Sequence, residues 1–251
     1  MIKTIQAKVI EIRKETPNTK TFRLDLKGET FDFKPGQFVM AKVNMRETEK
    51  FKVLHNKSKT QQRAYSISSA PYETNFIEIT VKEIEEGFVS KYFNQVIEVG
   101  DEFEIKGPMG HFTIDKHEKN IVLIGAGCGI APFRSIMLDI CEKKLPINIT
   151  LVDSNRTPED ILYYKEFLDL CKNNENMTCY FTITRPWLMK NTTWDGPTGR
   201  LNEASIKNNV KDYQNVVYYI CGPAQLISDM EKILQELGVP KEKIKSERYG
   251  C

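Results

Sequence analysis

The amino-acid sequence predicts two domains, an antiparallel β-barrel followed by a doubly wound α/β domain with a five-stranded parallel sheet. Short segments of alternating apolar and polar residues recur through residue 115, which is typical of an all-β domain. After residue 119, apolar strand-like runs alternate instead with helix-length amphipathic segments. The polar stretch Asp115–Lys119 separates the two patterns, so we expect domains at residues 1–115 and 116–251.

The barrel is expected to contain six strands and one short helix. Turn residues such as Pro35-Gly36 and Gly107-Pro108 separate the strand-like segments. The helix is expected at Val89–Gln95. The segments expected to form strands are residues 5–12, 19–26, 38–43, 64–70, 76–84 and 102–107.

The second domain is expected to be a parallel sheet covered on both faces by helices. Its helices are expected near residues 132–144, 158–172, 202–209 and 223–237. Its strands are expected at Ile121–Ala126, Ile147–Asp153, Met177–Thr184, Val216–Cys221 and Lys243–Tyr249. Because ligands of such sheets bind at the carboxyl ends of the strands, we expect a dinucleotide site at that edge.

A glycine-rich turn begins the second domain. Gly125, Gly127 and Gly129 are spaced two residues apart, around Cys128, and are followed by Ala131 and Pro132. Closely spaced glycines between a strand and a helix bring backbone N–H groups to a pyrophosphate. Proline suits the first helical turn, because its missing N–H would have no intrahelical partner there. Simple chain geometry is the alternative interpretation of this turn.

A second candidate segment is Arg63–Pro71, RAYSISSAP. Its alternation places Arg63 and Tyr65 on one strand face and Ala64 and Ser66 on the other. These residues offer a cation for phosphate, a flat ring for stacking and a hydroxyl for a heterocycle nitrogen. An exposed strand with ordinary polar residues is the alternative.

Composition excludes several classes of function. A net charge of +2 does not indicate binding to nucleic acid or an anionic membrane. No apolar run approaches the roughly 20 residues that span a bilayer, and the N-terminus does not resemble a signal peptide. We therefore expect a cytoplasmic protein.

The cysteines and histidines do not have metal-ligand spacing, so no bound metal is expected. The histidines are His55, His111 and His117. Disulfides are not expected in a reducing compartment. We therefore interpret Cys141, Cys171 and Cys179 as small buried hydrophobic residues.

Seven short motifs, including the two segments above, are distributed along the chain. They are R-x-Y-S-x-x-S at 63–69, G-x-G-x-G-x-A-P-F at 125–133, C-G-P at 221–223 and E-x-Y at 247–249, with PGQFV at 35–39, GFVS at 87–90 and GPMGHF at 107–112. Together they resemble the ferredoxin–NADP reductase family of flavoproteins. The resemblance covers nearly the whole chain and implies an FAD-binding barrel followed by an NAD(P)-binding domain.

The resemblance implies how FAD is held. Arg63 is expected to pair with the FAD pyrophosphate, Tyr65 to pack against the isoalloxazine, and Ser66 to hydrogen-bond near flavin N5. Ser90 and the glycine before it suit a helix start that receives an anion, although plain N-capping is the alternative. The other expected FAD contacts are Ala64, Ile79, Thr80, Val81, Lys82, Gly87 and Val89.

The resemblance also places catalytic roles on Ser66, Cys221, Glu247 and Tyr249. Cys221 is expected beside nicotinamide C4, and Gly222 and Pro223 belong to the same nucleotide-binding turn. Hydride transfer needs the donor and acceptor atoms at contact distance. Ser66, Cys221 and Glu247 are therefore expected to position and polarise the nicotinamide and the flavin, and Glu247 is also expected to relay a proton. Tyr249 is expected to stack on the flavin and move aside for the nicotinamide. Gly250 and Cys251 follow it here, whereas the plant-type pattern ends on the tyrosine.

The choice between NADH and NADPH rests on conflicting residues. Asp153 is expected where an acid would hold a free 2′-hydroxyl. Arg156 and the pair Thr184-Arg185 favour a 2′-phosphate, although a solvated loop charge is the alternative for Arg156. We therefore expect NAD(P)H, with a slight preference for NADPH.

The function expected from the resemblance is hydride exchange between NAD(P)H and FAD, with single electrons passed to ferredoxin or flavodoxin. A basic segment precedes and enters the RAYS strand, and it is expected to steer such an acidic carrier; a solvated loop is the alternative. Its basic residues are Lys50, Lys52, Lys57, Lys59 and Arg63. The alternatives are the reductase component of an oxygenase, an NAD(P)H:flavin reductase, and a non-catalytic electron-transfer subunit of a larger complex.

Overall fold

The computed structural model describes residues 1–48, 51–52, 58–189 and 193–248. They divide into two compact units. The first contains residues 1–113 together with 134–139. The second contains the described residues of 114–133 and 140–248.

The first unit is built on a curled, six-stranded antiparallel sheet in the order β4-β3-β6-β1-β2-β5. An antiparallel bridge between Ile67 and Ile79 joins the end of β4 to β5, and the Ser68 N–H donates to the Glu78 carbonyl at 2.8 Å. The outer strands of the order therefore meet at one end, as a partly closed barrel requires. The strands are β1 (Lys3–Thr16), β2 (Thr19–Asp25), β3 (Phe38–Asn44), β4 (Thr60–Ser66), β5 (Phe76–Lys82) and β6 (Glu102–Met109).

The barrel core is filled by the inward-facing residues of the strands and by one helix, α1 (Phe88–Gln95). Phe93 of α1 is fully buried and meets the rings of Phe22, Tyr65 and Phe103 edge-on, each at 5.3 Å between centroids. Such aromatic pairs add to the free energy gained by burial. The helix therefore anchors the strand that carries Tyr65.

A buried carboxylate, Glu78 in β5, organises one face of the first unit. Arg13 pairs with both of its oxygens at 2.8 Å, and Arg23 and Arg134 approach at 2.9 and 2.8 Å. Burial alone raises the pKa of Glu78, but the hydrogen bonds and charges of these arginines outweigh it and lower that pKa from 4.5 to about 2. Glu78 is therefore ionised throughout the ordinary pH range.

The second unit is built on a five-stranded parallel sheet in the order β11-β10-β7-β8-β9. Tyr218 and Ile220 of β10 lie in a core cluster with residues of two helices, including Ile206 and Ile227. This arrangement confirms the predicted fold class, an antiparallel barrel and a five-stranded parallel α/β sheet. The strands are β7 (Asn120–Gly125), β8 (Asn148–Asn155), β9 (Met177–Ile183), β10 (Val217–Gly222) and β11 (Ile244–Arg248).

The helices of this region are α2 (Ala131–Glu142), α3 (Tyr164–Asn173), α4 (Glu203–Asn209) and α5 (Ala224–Glu236). The prediction of one helix over 158–172 was wrong at its start. A short 3₁₀ turn occupies Pro158–Asp160, and Tyr163 has a left-handed φ of 55°, so α3 begins only at Tyr164. None of the described helices is both long and apolar enough to cross a bilayer.

The interpretation of three cysteines as buried hydrophobic residues was wrong. Cys171 of α3 and Cys179 of β9 form a disulfide with Cα atoms 6.5 Å apart. Both are half-buried, as is Cys141. Packing of α3 against β9 brings the pair together, and the sequence spacing carries no signal for that packing.

Replacing Glu78 by glutamine should lower the free energy of unfolding by about 3 kcal/mol at pH 7, because a neutral amide no longer balances three arginines. Since folding lowers the pKa of Glu78, its contribution is fully present above pH 4.5 and is lost as the pH falls toward about 2. Denaturant titrations at pH 7, 4 and 2.5 measure this difference.

Glu11→Gln is the matched control, because Glu11 bonds Arg13 and Arg23 from a more exposed position. Its loss should cost less than about 1 kcal/mol. Equal losses for the two variants, or a Glu78→Gln loss that does not change with pH, would contradict a structural role for the buried carboxylate.

Candidate functional site

Among the described strands of the first sheet, β4 is the one without a fully buried residue. Arg63 and Ala64 are exposed, and Tyr65 and Ser66 are half-buried. The Arg63 guanidinium donates to the Gln62 carbonyl at 2.7 Å. Arg63 and Tyr65 are two residues apart on this strand, so the surface of the first unit presents a cation and a partly exposed ring on one face.

The neighbouring candidate segment lies in β5 and is mostly buried. The side chains of Ile79 and Val81 lie in the core, at 0% and 1% exposed. The Thr80 hydroxyl lies 2.9 Å from that of Thr21 and 3.2 Å from that of Ser68. A ligand would therefore meet this segment through its main chain or through half-buried Lys82.

The segment Gly87–Ser90 forms the start of α1. Gly87 is the N-cap and Phe88 the first helical residue, one position earlier than predicted. A Cβ on Gly87 would lie 2.2 Å from Ile84 Cγ1, so the turn tolerates only glycine without rearrangement. Ser90 is not the cap: its hydroxyl donates to the Gly87 carbonyl at 3.0 Å and accepts from the Ile84 N–H at 3.3 Å.

The first turn of α1 carries no acidic residue, so no side chain of that turn neutralises the positive end of its dipole. Glu85 and Glu86 precede it and are exposed to water, which screens their charge. The start of α1 therefore offers backbone N–H groups to an anion.

Each glycine of the turn after β7 has its own structural reason. Gly127 has φ 53°, in the left-handed region. A Cβ on Gly125 would lie 2.8 Å from Ile130, and one on Gly129 would lie 2.0 Å from the carbonyl oxygen of Cys221. A 3₁₀ turn, Gly127–Ile130, precedes α2, and buried Pro132 lies in the first turn of α2, as predicted. The turn is therefore held directly against the end of β10.

Cys221 and Glu247 are register partners on β10 and β11. Cys221 is 1% exposed, and burial, with smaller effects of Glu247 and Cys128, raises the pKa of its thiol far above the ordinary value. Burial also raises the pKa of half-buried Glu247. The cysteine is therefore a neutral thiol at ordinary pH and not a thiolate nucleophile.

The residues expected near a ribose 2′ position differ in exposure. Asp153 is 1% exposed, two residues before β8 ends, and accepts a hydrogen bond from Asn155 at 2.7 Å. Arg156 and Arg185 are exposed, and the Arg185 N–H donates to the Arg156 carbonyl at 2.8 Å. Thr184 bonds the Asn155 carbonyl through both its N–H and its hydroxyl, at 2.8 and 3.1 Å. These bonds fix the two arginine-bearing loops side by side.

The C-G-P segment joins β10 to α5. Gly222 is buried, and a Cβ there would lie 2.8 Å from Leu226 Cδ2. Pro223 is the exposed N-cap of α5. The predicted stacking residue Tyr249 lies outside the described residues, as do Gly250 and Cys251.

A polar cluster beside Cys221 was missed at the level of sequence. Tyr219 donates to Glu118 at 2.7 Å, and Lys245 donates to the Tyr219 hydroxyl at 2.8 Å. Tyr219 and Lys245 precede Cys221 and Glu247 by two residues, so all four share one face of the sheet. That period of two was the available signal, whereas Glu118 comes from a preceding loop and gave none.

Comparison with known families covers most of the chain. The Oxidoreductase FAD-binding domain matches residues 6–114, and the Oxidoreductase NAD-binding domain matches residues 123–232. The flavohaem-like FAD/NAD-binding domain of nitric oxide dioxygenase from Vibrio cholerae has the same fold, with a TM-score of 0.84 at 22% identity over 98% of this chain and 99% of that one.

Curated relatives carry two different descriptions. The glycine betaine monooxygenase reductase subunit of Chromohalobacter salexigens is 26% identical over 88% of this chain and 57% of its own length. A Na⁺-translocating NADH-quinone reductase subunit of Marinomonas sp. is 26% identical over 93% of this chain and 65% of its own length. The chain thus spans less than two thirds of these relatives. With both domain families matched in order, it belongs to the ferredoxin–NADP reductase-like family of FAD-dependent NAD(P)H oxidoreductases.

Proposed function

We propose that this chain oxidises NAD(P)H through FAD and passes single electrons to a separate carrier. The proposal rests on one combination: an FAD-type domain with an exposed Arg-x-Tyr-Ser strand and an NAD-type domain whose glycine turn lies against Cys221. When bound, FAD accepts a hydride as a pair of electrons and releases electrons one at a time. The residues of the chain bind and orient the FAD and the nucleotide, and they exclude water from the site.

The first unit fits FAD. Arg63 supplies an exposed guanidinium for the pyrophosphate, and the partly exposed ring of Tyr65 supplies a stacking surface. The start of α1 adds backbone N–H groups, and Ser66 follows Tyr65 at the end of β4. The main chain of Ile79–Lys82 completes the proposed contacts.

The second unit fits a dinucleotide. A side chain at Gly129 would collide with the β10 main chain, so the glycine turn packs against this edge of the sheet without a side chain at that position. Arg156 and Arg185 are exposed beside it, whereas Asp153 is buried and already bonded to Asn155. This contrast supports NADPH as the preferred substrate, because two cations suit a 2′-phosphate.

Cys221 and Glu247 act by positioning in this proposal. A neutral thiol holds a hydrogen-bond donor at the strand end, and a carboxyl with a raised pKa exchanges a proton more readily near neutral pH than an ordinary glutamate. Tyr219 and Lys245 support them from the same sheet face. Ser66 is proposed to contact the flavin from the first unit.

The electron acceptor is proposed to be a small acidic carrier of the ferredoxin or flavodoxin class. The supporting observation is that Lys52, Lys59 and Arg63, in and before β4 along the chain, are exposed. Lys50 and Lys57, the other basic residues of that segment, lie outside the described residues. An oxygenase component is the second candidate acceptor, favoured by the monooxygenase reductase relative.

The purified protein should be yellow, or become so on addition of FAD, and its oxidised-flavin absorbance should bleach when it is mixed anaerobically with NADPH.

Arg63→Ala should weaken FAD binding by roughly ten- to a hundredfold, because a charge-assisted hydrogen bond to phosphate is lost. Titration of the flavin-free protein with FAD measures this. Lys59→Ala, an exposed cation near the same strand, is the control and should bind FAD normally. A protein that stays colourless with added FAD would refute the proposal.

Arg185→Ala should raise the KM for NADPH by roughly tenfold or more and leave that for NADH within about twofold. Arg200→Ala is the control: it removes another exposed arginine from the stretch between β9 and α4 and should change neither KM. Stopped-flow flavin reduction with each nucleotide gives these constants. An equal rise for both nucleotides would show that Arg185 does not contact a 2′-phosphate.

Cys221→Ala should slow flavin reduction by roughly tenfold with little change in nucleotide affinity, since a positioning contact is lost. Cys221→Ser keeps a donor and should recover part of the rate. Because the raised pKa keeps the thiol protonated, the wild-type rate should show no thiol titration between pH 6 and 9. A step in that range that disappears in Cys221→Ser would instead identify a functional thiolate.

A further inference from the structure

Two cysteines of the second unit are already joined by a disulfide, outside the nucleotide-binding edge of the sheet. Cys171 lies in α3 and Cys179 in β9, eight residues apart. Both are half-buried, whereas Cys221 is 1% exposed. A thiolate needs access to one sulfur of a disulfide in order to attack it, and neither cysteine of this disulfide is fully buried.

The loop closed by the disulfide is also held by other bonds. The Asn174 side chain donates to the Leu170 carbonyl at 2.8 Å, and the Asn176 side chain donates to the Ile147 carbonyl at 2.6 Å. The Met177 N–H bonds the Asn174 carbonyl at 3.0 Å. Because these bonds hold the loop independently, the fold should survive loss of the disulfide.

A third cysteine lies against the same loop. The Cys141 thiol, at the end of α2, donates to Asn174 Oδ1 at 3.2 Å. It is half-buried and outside any disulfide. Its bond to Asn174 keeps it on the closed loop without being part of the pair, so it is a natural internal control.

We propose that Cys171–Cys179 is a reversible thiol–disulfide exchange site whose partner is a small dithiol. A partner thiolate attacks one sulfur, the Cys171–Cys179 bond breaks, and a mixed disulfide forms. The second partner thiol then resolves it, so two electrons and two protons pass to the cysteines while the partner becomes a disulfide. The reverse reaction closes the site, and neither direction depends on the flavin chemistry.

Opening the site should loosen the contact between α3 and β9 without unfolding the chain. The disulfide closes a short loop, so its loss should lower the melting temperature by about 5 °C. The Cys171→Ser/Cys179→Ser double variant should melt at the temperature of the reduced wild type and should not respond to reductant. Cys141→Ser should keep the wild-type response.

The test is to alkylate the folded protein with N-ethylmaleimide, before and after incubation with reduced dithiothreitol, and to locate the labels by peptide mass spectrometry. Without reductant Cys171 and Cys179 should be unlabelled and recovered as one linked peptide pair; with reductant both should be labelled. The fraction opened should vary smoothly with the ratio of reduced to oxidised dithiothreitol.

Three outcomes would overturn the proposal. Labelling of Cys171 and Cys179 without reductant would mean that the disulfide is absent. Opening only after denaturation would make the disulfide a structural bond and not an exchange site. Loss of the linked pair in Cys141→Ser would mean that a different pair of cysteines is involved.

Discussion

The contact between Gly129 and the carbonyl of Cys221 is the constraint on which the second unit depends. It holds the turn after β7 against the end of β10, the two strands at which the order β11-β10-β7-β8-β9 changes direction. Ligands bind at such a reversal because the chains leaving the two strands diverge to opposite faces. A single close backbone approach therefore places the glycine turn, Cys221 and the start of α5 at one edge.

In the first unit the constraint is the join between the outer strands β4 and β5, because β4 presents exposed side chains. The Ile67–Ile79 bridge and the Ser68–Glu78 hydrogen bond make that join. Glu78 is on the joined strand, and three arginines neutralise it. The ion pairs of Glu78 on β5 thus lie beside the join to β4, whose own residues contribute little burial.

The sequence predicted the number of strands and their parallel or antiparallel class, because these follow from apolar periodicity and from glycine and proline placement. It placed the fourth strand at residues 64–70, whereas β4 spans Thr60–Ser66. It did not predict the late start of α3, which depends on one left-handed residue, Tyr163. It also missed Glu78 as a buried ion: within FIEITVKEI an acidic residue at an alternate position is expected to face water. Its three partners are distant in sequence, and only the folded chain brings them together.

Cys221 and the disulfide pair Cys171–Cys179 differ in burial. Burial raises the pKa of Cys221, so this thiol resists ionisation. Cys171 and Cys179 lie where α3 meets the edge strand β9, and both residues are half-buried. If electrons pass near Cys221, as proposed, the exchange site proposed at Cys171–Cys179 adds a second redox couple at an edge strand of the same sheet. The strand order separates Cys221 from the disulfide, because β7 and β8 lie between β10 and β9.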